Sequence, residues 1–118
     1  MAGNMNTLMC IRTVCDGTAG PHDYTTTRGF EVVDVSGVGT VTVGAATGTV
    51  QRQPAAGGGY NPVSAAVPID TINAVEYSTL LIDAQNTFAT GDSHRVAIAN
   101  AAQGNIYTWV VPTSWISG

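Results

Sequence analysis

The sequence predicts an all-β chain folded as a two-sheet β-sandwich, with a jelly roll favoured over an immunoglobulin-like Greek key. Three observations carry this. Apolar and polar residues alternate in short runs from end to end, the period of half-buried strands. Turn formers, 14 glycines and five prolines in 118 residues, separate the runs at roughly ten-residue intervals, as in sandwiches and barrels. Threonine and valine, which suit pleated surfaces, stand where charge is usual: 10% of residues are charged, against about 25% in an average domain. The length fits one domain, residues 1–118, with short extended arms at both ends.

The elements follow in order. Residues 7–15, "TLMCIRTVC", read as the first strand. In an extended strand Cys10 and Cys15 would lie about 16 Å apart, whereas a disulfide needs about 7 Å or less. "CIRTVC" contains no turn former, so two free thiols in a reducing cytoplasm are expected. Residues 16–24, "DGTAGPHDY", read as a structural turn. Asp16, His22 and Asp23 would at most hold a weak cation there, and two histidines in the chain are too few for a zinc site. "GFEVVDVSG" (29–37) is the second strand. "GTVTVG" (39–44) and "TGTVQRQ" (47–53) read as a hairpin, followed by a flexible loop, "PAAGGGYNP" (54–62). Residues 63–71 read as an edge segment, because Pro68 cannot donate to a ladder.

Residues 74–83, "AVEYSTLLID", admit two readings. Asn73 and Glu76 fit a helix capping box, but the neighbouring strands and the Tyr-Ser-Thr-Leu-Leu-Ile core favour a strand. After "QNTFATGD" turns the chain, "HRVAIAN" (94–100) and "NIYTWVVP" (105–112) read as a hairpin about "AAQG". The total is seven or eight short strands.

Charge excludes several function classes. Four arginines, no lysine and eight acids give a net charge of −4. Too few cations are present to displace counterions from phosphates, so no nucleic acid is expected as a partner. The same deficit argues against an anionic membrane surface. The N-terminal stretch lacks the basic segment of a secretion signal, and no run approaches the 18 apolar residues of a membrane-spanning helix. "GVG" at 37–39 lacks the context of a dinucleotide fingerprint, and "GGGY" is not followed by the Lys of a phosphate loop. No cofactor or metal is implied.

One stretch, "TGDSHRVAIANA" (90–101), places Asp92, Ser93, His94 and Arg95 side by side, the residue types of a hydrolase site. Catalytic triads converge from distant positions, whereas consecutive strand residues point to alternate faces. The stretch therefore reads as a turn entering a strand, and the chain as no enzyme. The remaining hydrolase reading uses Asp92 or His94 with a distant partner. Tyr107 and Trp109 are expected to anchor the core between the sheets. If they faced outward they would form a platform for stacking on a sugar, as in a carbohydrate- or receptor-binding module of a head fibre or tail component.

A nearly charge-free β domain suits binding to other protein surfaces. In composition, size and strand pattern, and in "LLIDAQNTFATGDSHRVAIAN" followed by "NIYTWVVP", the chain resembles the small decoration, or cement, proteins of tailed-bacteriophage capsids. The resemblance implies a virion protein, made in the host cytoplasm, on the outer capsid surface. It would bridge neighbouring subunits of the major capsid protein as a homo-dimer or homo-trimer. Contacts are expected from the arms and the 54–62 loop, at Met5, Leu8, Met9, Tyr60, Trp115 and Ile116. A tail-tube or connector subunit belongs to the same class.

Overall fold

A computed structural model describes residues 8–18, 20–78 and 86–113. Two antiparallel sheets pack face to face as a β-sandwich. Among the described residues ten strands run in chain order: β1 (Met9–Asp16), β2 (Gly20–Thr25), β3 (Phe30–Gly39), β4 (Thr47–Gln53), β5 (Asn61–Pro62), β6 (Val67–Pro68), β7 (Val75–Ser78), β8 (Thr87–Phe88), β9 (Ser93–Ala99) and β10 (Gln103–Pro112). One sheet has the order β1-β10-β3-β7, with β8 also on β3. The other has the order β2-β9-β4-β5, with β6 also on β4. We call these the first and second sheets.

The inward faces are mostly apolar and follow period-2 alternation, with Val32 and Val35 of β3 an exception to the spacing. Ile106 and Val110 of β10, with Val32 and Val35 of β3, meet Val50 of β4 and Val96 and Ile98 of β9. Phe30 and Phe88 stack at 4.8 Å between ring centroids where β8 joins β3. Two glycines set the closeness of the sheets at Ile106. A Cβ on Gly37 would lie 2.9 Å from Ile106 Cδ1, and one on Gly48 2.8 Å from its Cγ1. The isoleucine fills the space both positions leave open, which is how two sheets reach crystal-like packing density there.

Four local expectations are corrected. Residues 94–100 and 105–112 are not a hairpin. Asn100 and Ala101 do form a tight corner with left-handed φ of 61° and 56°, but β9 is flanked by β2 and β4 and has no free edge for β10. The chain therefore crosses to the first sheet. Residues 40–46 form no strand. Thr40 N–H donates to the Gln103 carbonyl and Val43 N–H to the Asp70 carbonyl, so the segment is a crossing between sheets and the 39–44/47–53 hairpin is absent.

Residues 20–25, expected in a turn, are strand β2, laid against β9 from Gly20↔Ile98 to Thr25↔Ser93. Within the 54–62 loop, Asn61 and Pro62 pair with β4 as β5. The edge character of 63–71 holds, since β6 is a two-residue edge of β4 containing Pro68. Residues 75–78 are strand β7; the rest of the strand-or-helix segment, 79–83, lies outside the described residues. Cys10 and Cys15 are free thiols, one exposed and one buried. Burial, with the neighbouring Asp16 carboxylate adding to it, pushes the Cys15 thiol up to about 11.

Candidate functional site: an aromatic groove on the outer face of the first sheet

Strand β10 alternates cleanly. Gly104, Ile106, Thr108 and Val110 are buried, while Asn105, Tyr107, Trp109 and Val111 are only part-buried. Tyr107 and Trp109 thus lie on the outer face and not between the sheets, which corrects their reading as core anchors. Register then fixes their neighbours. Tyr107 stands opposite Ser36, and Ser36 opposite Tyr77. Asn105 stands opposite Val38, and Val38 opposite Val75. On the other flank, Arg12 faces Tyr107 and Cys10 faces Trp109.

A β-bulge completes the face. The register shifts between Trp109 and Val110, which pair with Asp34 and Val32, leaving Val33 as the extra residue. Val32 and Val35 both point into the core, and Val33 is thrown outward, 41% exposed. One valine too many for strict alternation in "EVVDV" is the sequence mark of this bulge.

These side chains enclose an open groove of about 460 Å³, walled by Tyr77, Tyr107, Trp109 and the apolar Leu8, Val33 and Val75. Ser36 and Asp34 supply polar atoms along it. Trp109 Nε1–H reaches Ser36 Oγ at 3.4 Å, which orients the indole. Asp34 Oδ1 accepts from the Val35 N–H at 2.9 Å. Tyr77 and Val75 are 67% and 56% exposed. An apolar face of this extent on the described surface is a candidate contact region. Covering each half-exposed apolar side chain contributes about 1 kcal/mol.

The outer face of the second sheet has a different chemistry. Thr47, Thr49, Gln51 and Gln53 of β4 alternate with buried Gly48 and Val50 and part-buried Arg52. Arg95 bonds the Asp23 carboxylate through Nε at 2.7 Å and Nη2 at 3.0 Å, with its guanidinium 3.6 Å from the Tyr60 ring centroid.

Residues 92–95 do not converge on one point. Asp92 is buried and accepts from Arg52 Nε at 2.8 Å and from the backbone N–H groups of Ala55 and Ala89 at 3.0 and 2.9 Å. Burial alone would raise its carboxyl, but these three donors outweigh burial and hold it below the ordinary value. Ser93 Oγ meets Tyr60 Oη at 2.6 Å. His94 points the other way, into the core, with Nε2 3.0 Å from Thr108 Oγ1. Asp92 joins the 54–55 turn to the 89–92 turn, His94 joins the two sheets, and Arg95 joins β9 to β2.

Among the expected contact residues, Leu8 lines the groove and Met9 lies beside a separate crevice between the sheets. Tyr60 lies against Arg95 on the second sheet, away from both. Met5, Trp115 and Ile116 lie outside the described residues. The sequence reading missed Val33, Val75 and Tyr77. His22 and Asp23 alternate along β2, with Asp23 taken by Arg95, so these two cation-ligand candidates diverge. Comparison with protein-family models, curated proteins and solved structures gives no match.

Proposed function

We propose that this protein is a non-enzymatic virion structural protein that binds the outer surface of a tailed-phage capsid. It bridges neighbouring major capsid subunits and docks through the outer face of its first sheet. The observation that carries this reading is the asymmetry of the sandwich: Tyr77, Trp109, Val33 and Val75 gather on one outer face, while threonine, glutamine and an arginine–aspartate pair occupy the other. A module that binds the assembled lattice better than free subunits opposes disassembly by mass action. The sandwich is read as a jelly roll. In support, the strand order β1-β10-β3-β7 over β2-β9-β4-β5 changes sheet at six of the nine steps between successive described strands, while immunoglobulin-type sandwiches keep more hairpins within one sheet.

Co-sedimentation with capsids of candidate tailed phages tests the proposal. The wild-type protein is expected to pellet with capsids, and the Val75→Ser/Tyr77→Ser double variant, altered only at exposed positions, to stay in solution. A wild-type protein that ignores every capsid offered overturns the reading.

A carbohydrate-binding role is the second reading, favoured by one observation: Tyr107 and Trp109 stand on the outer face beside Tyr77, as a sugar-stacking platform requires. Polysaccharide titration of a Trp115→Phe variant, with Trp109 as the remaining fluorophore, separates the two. A saturable spectral shift lost in Tyr77→Ser supports the glycan; no shift, with capsid binding intact, supports the capsid.

A further inference from the structure

Sheet edges are hazards that folds protect with short strands, prolines, bulges and charge. Among the described residues, three of the four sheet edges are short or carry proline. Strand β7 has four residues, β5 and β6 have two each with Pro62 and Pro68, and β2 carries Pro21. Strand β1 is the exception. It runs eight residues, Met9–Asp16, without proline or register shift against β10. Among the described residues nothing pairs with its other side. In an antiparallel strand alternate residues turn both backbone groups away from the existing neighbour, so β1 offers a row of donors and acceptors. Beside it the sandwich is open: a crevice of about 350 Å³ lies between the sheets, lined by Met9, Ile11, Tyr24, Phe30 and Val110 among others.

We propose that β1 is the seam of a homodimer, in which two copies pair antiparallel through this strand about a two-fold axis at Val14. Charge selects the occupant and the register. Residues directly opposite in an antiparallel pair share a face, so the two-fold sets one residue against its own copy. An axis at Arg12 would oppose two guanidiniums, which is unfavourable. An axis at Val14 sets Arg12 directly opposite the second copy's Asp16, a favourable contact made twice by symmetry. Asp16 ends the strand with its carboxylate held in place by the Thr18 N–H at 3.1 Å. An axis at Thr13 leaves Arg12 diagonal both to the second copy's Asp16 and to its Arg12, so attraction and repulsion offset, and an axis at Ile11 forgoes the Asp16 contact. The seam joins two first sheets into one continuous sheet, brings both aromatic grooves onto one face and sets the two crevices toward each other. The inference is independent of the capsid reading, since it concerns the protein alone.

Charge exchange between Arg12 and Asp16 tests it, because both side chains are exposed and their replacement leaves the core untouched. Sedimentation equilibrium is expected to show the wild type at twice the chain mass. Asp16→Lys sets a lysine opposite the second copy's Arg12 and should raise the dimer Kd about tenfold or more. Arg12→Asp opposes two acids and should raise it likewise, and Arg12→Asp/Asp16→Lys should restore the dimer. Circular dichroism confirms that each variant is folded. A monomeric or trimeric wild type overturns the proposal. So does a dimer indifferent to Asp16→Lys, or one that the charge exchange does not restore.

Discussion

His94 and Thr108 are fully buried and tie one sheet to the other through a single hydrogen bond. Burial pushes the imidazole down from 6.5 to about 4, against smaller upward pulls from its own backbone and Asp23. The unfolded chain therefore takes up a proton below pH 6.5 that the folded chain refuses. Stability is expected to fall as the pH drops from about 6.5 towards 4, by roughly 3 kcal/mol in all, and to level off once both states are protonated. Asp92 acts further down. Its lowered carboxyl contributes stability above its unfolded value, and that contribution is lost as pH falls through the folded one. Urea denaturation from pH 7.5 to 4.5 checks the first effect; His94→Gln should flatten the slope across that window while lowering stability at pH 7. The sequence showed that residues 92–95 cannot converge, because strand alternation is local. It did not show what they bind. Ala89 is in the same turn as Asp92, but Arg52 and Ala55 come from the end of β4 and the turn after it, and only the β4–β9 ladder brings them to it.

At the level of the element, strands were legible and their pairing was not. The apolar periodicity of "NIYTWVVP" and "HRVAIAN" marks two strands correctly, and the corner between them has the left-handed residues of a tight hairpin turn. Pairing was decided by competition for edges, as β2 and β4 already occupy both sides of β9. The same lack of local information hid β2, whose "GPHDYT" has turn composition and becomes strand through its ladder to β9. The corner carries a prediction. Ala101 holds a φ of 56°, a conformation that costs an L-residue about 1–2 kcal/mol and glycine almost nothing. Ala101→Gly is expected to stabilise the protein by up to about 1 kcal/mol after the entropy glycine adds to the unfolded chain, read as a rise in thermal midpoint. A corner that had to continue as a hairpin in one sheet would respond the same way, so it is the ladder of β9 that defines the crossing.

Over the whole molecule, the fold class was readable because a period of two survives any rearrangement of strand order. The groove was not, because whether Tyr107 and Trp109 face the core or solvent depends on which side of β10 the second sheet covers. That side is settled only when β10 crosses to the first sheet and Ile106 drops into the space at Gly37 and Gly48. The pairing of β1 with β10 has a mechanical consequence. Met9 faces Val110, and Asp16 faces Gln103, so the start of one strand and the far end of the other lie side by side. Tension applied between residues 9 and 110 loads the ladder one rung at a time, whereas tension between residues 9 and 103 loads every rung at once. Single-molecule pulling with handles at 9 and 110 is expected to peel β1 away at a markedly lower force than with handles at 9 and 103. Loaded through that end alone, the sandwich would act as a zip; held from both ends of the ladder, the same strands would act as a clamp.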